Sequence, residues 1–79
     1  MKTPFLTQEE VLQQFSVEDI KNGATFEKNE FPKFATIEFD EWSNDFTVFI
    51  AYGKRFKEEV NHIDTIEEAI EEINEFLAV

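Results

Sequence analysis

His62 is the only histidine of the chain and the residue best suited to acid–base or metal chemistry. A zinc or iron site there would need carboxylates as its other ligands, because the chain has no cysteine and no second histidine. A Ser/His/Asp arrangement can be drawn from Ser43, His62 and Asp40, but it lacks a nucleophile elbow and a glycine-built oxyanion hole. The sequence therefore predicts no metal site, no cofactor and no catalytic residue.

The acidic segment 40–45 superficially suggests calcium binding. It lacks the alternating ligands and central glycine of an EF-hand loop, and its Asn and Asp residues are typical of a turn. Gly23 and Gly53 are the only glycines, so a glycine-rich phosphate-binding loop is excluded. We therefore predict that the protein is not an enzyme. An enzyme would need a pocket lined by His62 and a carboxylate of raised pKa.

Eighteen acidic residues oppose seven basic ones, which gives a formal net charge of −11 in 79 residues. Such a field repels nucleic acid and anionic membranes and steers the protein toward basic partners. The absence of cysteine fits a reducing compartment, and the N-terminal residues carry no apolar signal segment. We predict a cytoplasmic protein, without direct nucleic-acid or membrane binding, that forms one domain over 1–79.

The first part of the chain has the signals of a helix over about 7–22. Thr7 and Glu10 fit a capping box, and Ser16 with the residues after it can restart the pattern. A break near Ser16 is therefore one alternative to a single bent helix. Gly23 is a suitable C-terminal stop.

From 24 to 52 the apolar residues alternate, which predicts antiparallel strands joined by loops at 29–32 and 42–45. In that register Phe26 faces Ala35 and Ala24 faces Ile37. Across the next hairpin, Phe39 faces Val48, Ile37 faces Ile50 and Ala35 faces Tyr52. A one-residue slip in either hairpin would place a glutamate on the apolar face.

A three-residue turn at 53–55 would pair Tyr52 with Phe56 and Val48 with Val60, which predicts a fourth strand over about 56–61. Glu58, opposite Ile50, is the one misfit on the apolar face. The alternative is a three-strand sheet with 54–63 as an irregular crossover. The basic residues near this turn predict a charged sheet edge or ion pairs with the last helix.

A second capping box is predicted at 65–68, with Asp64 as an alternative cap, and an amphipathic helix follows it. The predicted fold is α+β: an N-terminal helix, a four-strand antiparallel meander and a C-terminal helix. Both helices should cover one sheet face, because only one face is consistently apolar. The other face should have Phe34 and Phe49 at its centre, flanked by Phe31 and Trp42.

Two surfaces are candidates for partner binding. The polar side of the last helix and nearby strand positions carry carboxylates without interleaved lysines, and the open sheet face carries two aromatic rings. The predicted partner-binding residues are Glu67, Glu68, Glu71, Glu72, Glu75, Glu38, Asp40, Phe34 and Phe49.

These features favour a small acidic binding protein that docks on a basic protein surface, such as that of a nucleic-acid-binding protein. Inhibitors and nucleic-acid mimics of phages and mobile elements present carboxylates where phosphates would lie. The alternative is a structural or accessory protein that self-associates through the open aromatic sheet face. The sequence leaves both a monomer and a homodimer open.

Overall fold

The computed structural model describes residues 3–78, so positions 1, 2 and 79 of the predicted domain lie outside the described residues. The sheet has four antiparallel strands in the order β1-β2-β3-β4, which confirms the α+β meander and excludes the three-strand alternative. The elements in chain order are α1 (Gln8–Gln14), α2 (Val17–Lys21), β1 (Phe26–Glu30), β2 (Lys33–Asp40), β3 (Asp45–Tyr52), β4 (Phe56–Ile63) and α3 (Ile66–Leu77).

The predicted N-terminal helix consists of two short helices. The Thr7 hydroxyl accepts from the Glu10 amide at 3.3 Å, while the Glu10 carboxylate accepts from the Thr7 amide at 3.1 Å. Ser16 and Asp19 form the same reciprocal pair at the start of α2, at 3.1 and 3.0 Å. Since Phe15 between the helices is extended, the second cap starts a new helix and the break predicted near Ser16 is confirmed.

The registers predicted for the first two hairpins are wrong by two residues. Phe26 pairs with Ile37, because the first turn consists of only Phe31 and Pro32. Their peptide bond is cis. In the second hairpin Ile37 pairs with Val48, because the loop is 41–44 and not 42–45. A shift of two preserves the pleat, so the predicted residues still lie on the core face.

The third hairpin has the predicted register. Tyr52 pairs with Phe56 and Val48 with Val60. The fourth strand runs two residues beyond its predicted end. Its register with β3 shifts between the Val48–Val60 pair and the Phe46–Ile63 pair. His62 has a φ of 61° there, and the following Ile63 returns to the core. The extra residue of this bulge puts the histidine outside the apolar interior.

The core lies between one face of the sheet and all three helices. Its centre contains fully buried side chains from β1 to β3, such as Phe26, Ile37 and Val48, packed with those of the helices. The N-cap of α3 is Thr65, whose hydroxyl accepts from the Glu68 amide at 3.1 Å. The described helix contributes the following buried residues: Ile66, Ala69, Ile70, Ile73 and Leu77.

Asn74 of α3 holds the segment that precedes α1. Its side-chain oxygen accepts from the amides of Phe5 and Leu6 at 2.9 and 3.0 Å, and its amide donates to the Leu6 carbonyl at 2.9 Å. The side-chain amide thus pairs with the backbone as a neighbouring strand would. Leu6, with no exposed surface, is locked into the core by these bonds.

Lys28 of β1 is a second anchor for the N-terminal part of the chain. Its ammonium donates to the Phe5 carbonyl and to the Glu10 carboxylate, both at 2.6 Å, and lies 4.7 Å from the centre of the Phe5 ring. The hydrogen bond from Lys28 lowers the pKa of Glu10 below its ordinary value, against the opposing effect of partial burial. This lysine therefore ties α1 to the edge of the sheet.

Candidate binding surfaces

The solvent side of α3 carries the five glutamates predicted to bind a partner. Four of them are exposed and Glu72 is half-buried. None of the five forms an ion pair within the part of the chain that the structure describes, although Gln8 donates to Glu67 at 3.0 Å. We call this surface, which consists of Glu67, Glu68, Glu71, Glu72 and Glu75, the α3 acidic face.

The α3 acidic face has a charge density comparable to that of a nucleic-acid strand. Glu67 and Glu75 are separated by eight helical positions, or about 12 Å of helix axis. Five carboxylates over this length correspond to about 3 Å of axis per charge, close to the roughly 3.4 Å per charge of one DNA strand. The face can therefore present a dense row of negative charge to a basic protein.

The sheet face turned away from the helices has an aromatic centre. Phe34 of β2 lies opposite Ala51 of β3, and Phe49 of β3 lies opposite Thr36. Phe34 is half-buried, and Phe49 is 37 % exposed. A groove of about 670 Å³ runs over these four residues. The small side chain of Ala51 leaves room beside the two rings.

Carboxylates lie on both sides of Phe49. Directly paired positions form a row across the sheet from Glu27 of β1 through Thr36 and Phe49 to Glu59 of β4. With adjacent strands about 4.8 Å apart, the two glutamate backbones are separated by about 14 Å. Glu38 lies on the same face of β2, since it is two residues from Thr36.

A second groove of about 650 Å³ continues the first toward the β2–β3 loop. Glu38, Phe49 and Glu59 line both grooves, and the second also reaches Asp40 and Trp42. We call the continuous depression the open-face groove. It brings together four of the predicted binding residues, namely Phe34, Glu38, Asp40 and Phe49, on the side of the sheet opposite α3.

Of the two aromatic residues predicted to flank Phe34 and Phe49, only Trp42 lines the open-face groove. Phe31 is 89 % exposed in the β1–β2 turn, whereas Trp42 is 95 % exposed in the β2–β3 loop. These connections lie at opposite ends of β2, whose eight residues span about 27 Å. Trp42 thus belongs to one end of the open-face groove, and Phe31 lies outside its lining.

His62 is paired with a different aspartate from the one suggested by the sequence. Its Nδ1 lies 3.0 Å from Asp45, which also accepts a hydrogen bond from the Ser43 hydroxyl at 2.5 Å. The Ser43 bond is the main cause, and His62 the second, of the lowered pKa of Asp45. Asp40 instead accepts from the Trp42 amide at 2.9 Å.

This arrangement differs from a nucleophilic triad, because the aspartate and not the histidine lies between the other two groups. The His62 side chain is 77 % exposed and is not among the residues that line the open-face groove. Among residues 3–78, no group of three histidine or acidic side chains is positioned to hold a metal ion. The cluster joins the β2–β3 loop to β4.

The basic residues of the β3–β4 turn do not pair with α3. Arg55 lies 6.0 Å from the centre of the Tyr52 ring, and no ion pair joins this turn to the helix within the described chain. The contact between the two regions is aromatic: Phe56 and Phe76 have ring centres 5.7 Å apart. The basic residues leave the α3 acidic face uncompensated.

No family model, curated protein or solved structure matches the chain. Within residues 3–78, no helix combines the length and the apolar character needed to cross a membrane.

Proposed function

We propose that the protein is a non-enzymatic acidic binding protein that docks on a basic surface of another protein in the cytoplasm. The main support is the unpaired state of its carboxylates. Of the eighteen acidic residues, ion pairs within 3–78 involve only Glu10, Glu30 and Asp45. A protein that leaves so much negative charge uncompensated gains the most from a positively charged partner.

The proposed partner is a nucleic-acid-binding protein whose basic surface meets the α3 acidic face. The charge spacing of the α3 acidic face, about 3 Å per carboxylate, supports this proposal, because a surface that binds a phosphate backbone can accept such a row. Inhibitors and nucleic-acid mimics of phages and mobile elements are the type of protein to which this one would belong. Encounter is governed by charge, since its range is about 8–10 Å at physiological salt.

Charge reversal on α3 tests this proposal. We expect the triple substitution Glu67→Lys, Glu71→Lys and Glu75→Lys to slow association with the partner by more than about tenfold. The partner would be recovered from host lysate, and rates would be measured by surface plasmon resonance at several salt concentrations. Stability should hold, because the lysines at 67/71 and 71/75 repel each other as the glutamates did, whereas positions 71 and 75 gain opposite-charge neighbours three residues away in Glu68 and Glu72.

A matched control reverses three acidic residues outside both the α3 acidic face and the open-face groove, namely Glu9, Glu18 and Glu30. Both triple variants change the net charge equally, so their comparison separates the α3 acidic face from the overall field. We expect the control to slow association less. An association rate that is the same at low and physiological salt would refute the proposal.

Self-association through the open sheet face is the second candidate, supported by the exposure of Phe49. The two candidates respond oppositely to salt. Added salt screens the repulsion between two copies of charge −11 and should strengthen a dimer, whereas it weakens binding to a basic partner. Light scattering over a salt series distinguishes them.

A further inference from the structure

We infer, on the basis of the function proposed above, that the open-face groove binds a lysine- or arginine-rich segment of the partner. A large apolar side chain of that segment would pack against Phe34 and Phe49. Contacts in the groove thus slow dissociation of the complex, while the α3 acidic face on the other side of the molecule provides the long-range attraction.

The apolar part of this site is the floor of the groove. Phe34 and Phe49 line it, and Ala51 provides a depression beside them. The hydroxyl-bearing neighbours Thr36 and Thr47 are buried, and Thr47 satisfies its hydroxyl with Asn61 at 3.0 Å. An incoming apolar side chain would therefore meet mainly the two rings and the methyl group of Ala51.

The charged part of the site is its rim. Glu59, Glu38 and Asp40 form a negative rim that runs toward Trp42. Glu27 lies outside the lining, beside Thr36 on the same sheet face. Two cations, Lys21 and Lys57, line the described groove. Acidic side chains outnumber them, so the rim complements basic residues on either side of a central apolar one.

The same rim disfavours other occupants. A second copy would bring Glu38 and Glu59 of each protomer close to those of its partner, and like charges brought together destabilise an interface. Nucleic acid would meet the same repulsion from the rim carboxylates. A basic peptide segment is the occupant for which both floor and rim are complementary.

Two short synthetic peptides serve as the probe. One is rich in lysine with a central tryptophan, and the other has serine in place of the tryptophan. Each is titrated into the ¹⁵N-labelled protein while backbone amide shifts and affinity are recorded. We expect the tryptophan peptide to shift amides along the open-face groove and to bind about tenfold more tightly than the serine peptide.

Two phenylalanine substitutions provide the matched comparison. Phe49→Ser should lower the affinity for the tryptophan peptide by about tenfold and leave the affinity for the serine peptide nearly unchanged. Phe31→Ser removes a more exposed ring outside the groove and should have no effect on either peptide. Circular dichroism checks that both variants are folded. The double substitution Glu38→Gln and Glu59→Gln, which keeps the floor intact, should weaken both peptides.

The outcomes separate this inference from the function on which it rests. Peptide shifts confined to α3, with affinity insensitive to Phe49→Ser, would overturn the groove as the site and leave a basic partner standing. Failure of both peptides to bind at low salt would overturn the proposed function as well. Groove shifts that depend on protein concentration without peptide would identify a second copy as the occupant and refute the inference.

Discussion

Replacing Asn74 with alanine should release the N-terminal segment from α3. The substitution removes three hydrogen bonds to the backbone of Phe5 and Leu6, all between 2.9 and 3.0 Å. At about 0.5–1.5 kcal/mol each, their loss costs about 2–4 kcal/mol. Alanine has the better helix propensity by about 0.5 kcal/mol, which offsets part of this cost. We therefore expect the free energy of unfolding to fall by about 2–3 kcal/mol.

Urea unfolding followed by far-UV circular dichroism measures this change. A loss of this size should lower the melting temperature by roughly 4–8 °C per kcal/mol in a domain of this length. The control is Gln13→Ala, which removes an exposed amide side chain from α1 and should alter stability by less than about 0.5 kcal/mol. Asn74→Asp should be intermediate, because one carboxylate oxygen can still accept from the Phe5 and Leu6 amides, whereas the donor to the Leu6 carbonyl is lost.

Hydrogen exchange tests the mechanism separately from the magnitude. If Asn74 holds the segment, its replacement should reduce the protection from hydrogen exchange selectively at the Phe5 and Leu6 amides. The amides of α3 should stay protected up to the free energy of global unfolding of the variant. A loss of unfolding free energy below about 0.5 kcal/mol would refute the reasoning. So would Phe5 and Leu6 amides whose protection, relative to that of the core, is the same as in the unsubstituted protein.

Three further predictions concern the Glu10 carboxylate, the two glycines and the fluorescence of Trp42. Lys28 lowers the pKa of Glu10 in the folded state, so the carboxylate stabilises the fold above its unfolded-state pKa of about 4 and loses this effect as the pH falls. Glu10→Gln should thus cost about 0.5–1 kcal/mol at neutral pH, and urea titrations should show the difference fading on acidification. Gly23→Ala should lower the urea midpoint more than Gly53→Ala, since φ is 114° at Gly23 but 55° at Gly53, where alanine pays only about 1 kcal/mol. The emission of Trp42, which is 95 % exposed, should change little during an unfolding transition seen by circular dichroism.

The two candidate surfaces differ in how much of each was visible in the sequence. The α3 acidic face follows from helical periodicity alone, because buried and acidic positions alternate at three-and-four spacing along 66–77. The open-face groove required the sheet. Glu27, Phe49 and Glu59 are apart in the chain and come to lie in one row only through three strand pairings. Glu59 is thus a binding-site candidate that sequence reasoning missed.

The anchors of the N-terminal segment had no signal in the sequence. Asn74 contacts Leu6 across 68 positions, and Lys28 contacts Phe5 across 23. A single Asn on the solvent side of a helix pattern looks like any other polar residue. Its role depends on which chain segment the fold brings beside it.

Local chemistry was enough to predict the order of elements and the residues of the core face, and it offered the restart of the helix at Ser16 as one of two alternatives. These features depend on side-chain period and on caps formed within four residues, so each is decided by nearby sequence. The register of the first two hairpins depended on the whole fold. A shift of two residues keeps every apolar side chain on the same face, so the hydrophobic pattern cannot distinguish Phe26 opposite Ala35 from Phe26 opposite Ile37. Turn geometry and packing against the helices made that choice, because only they sense position along a strand as well as its face.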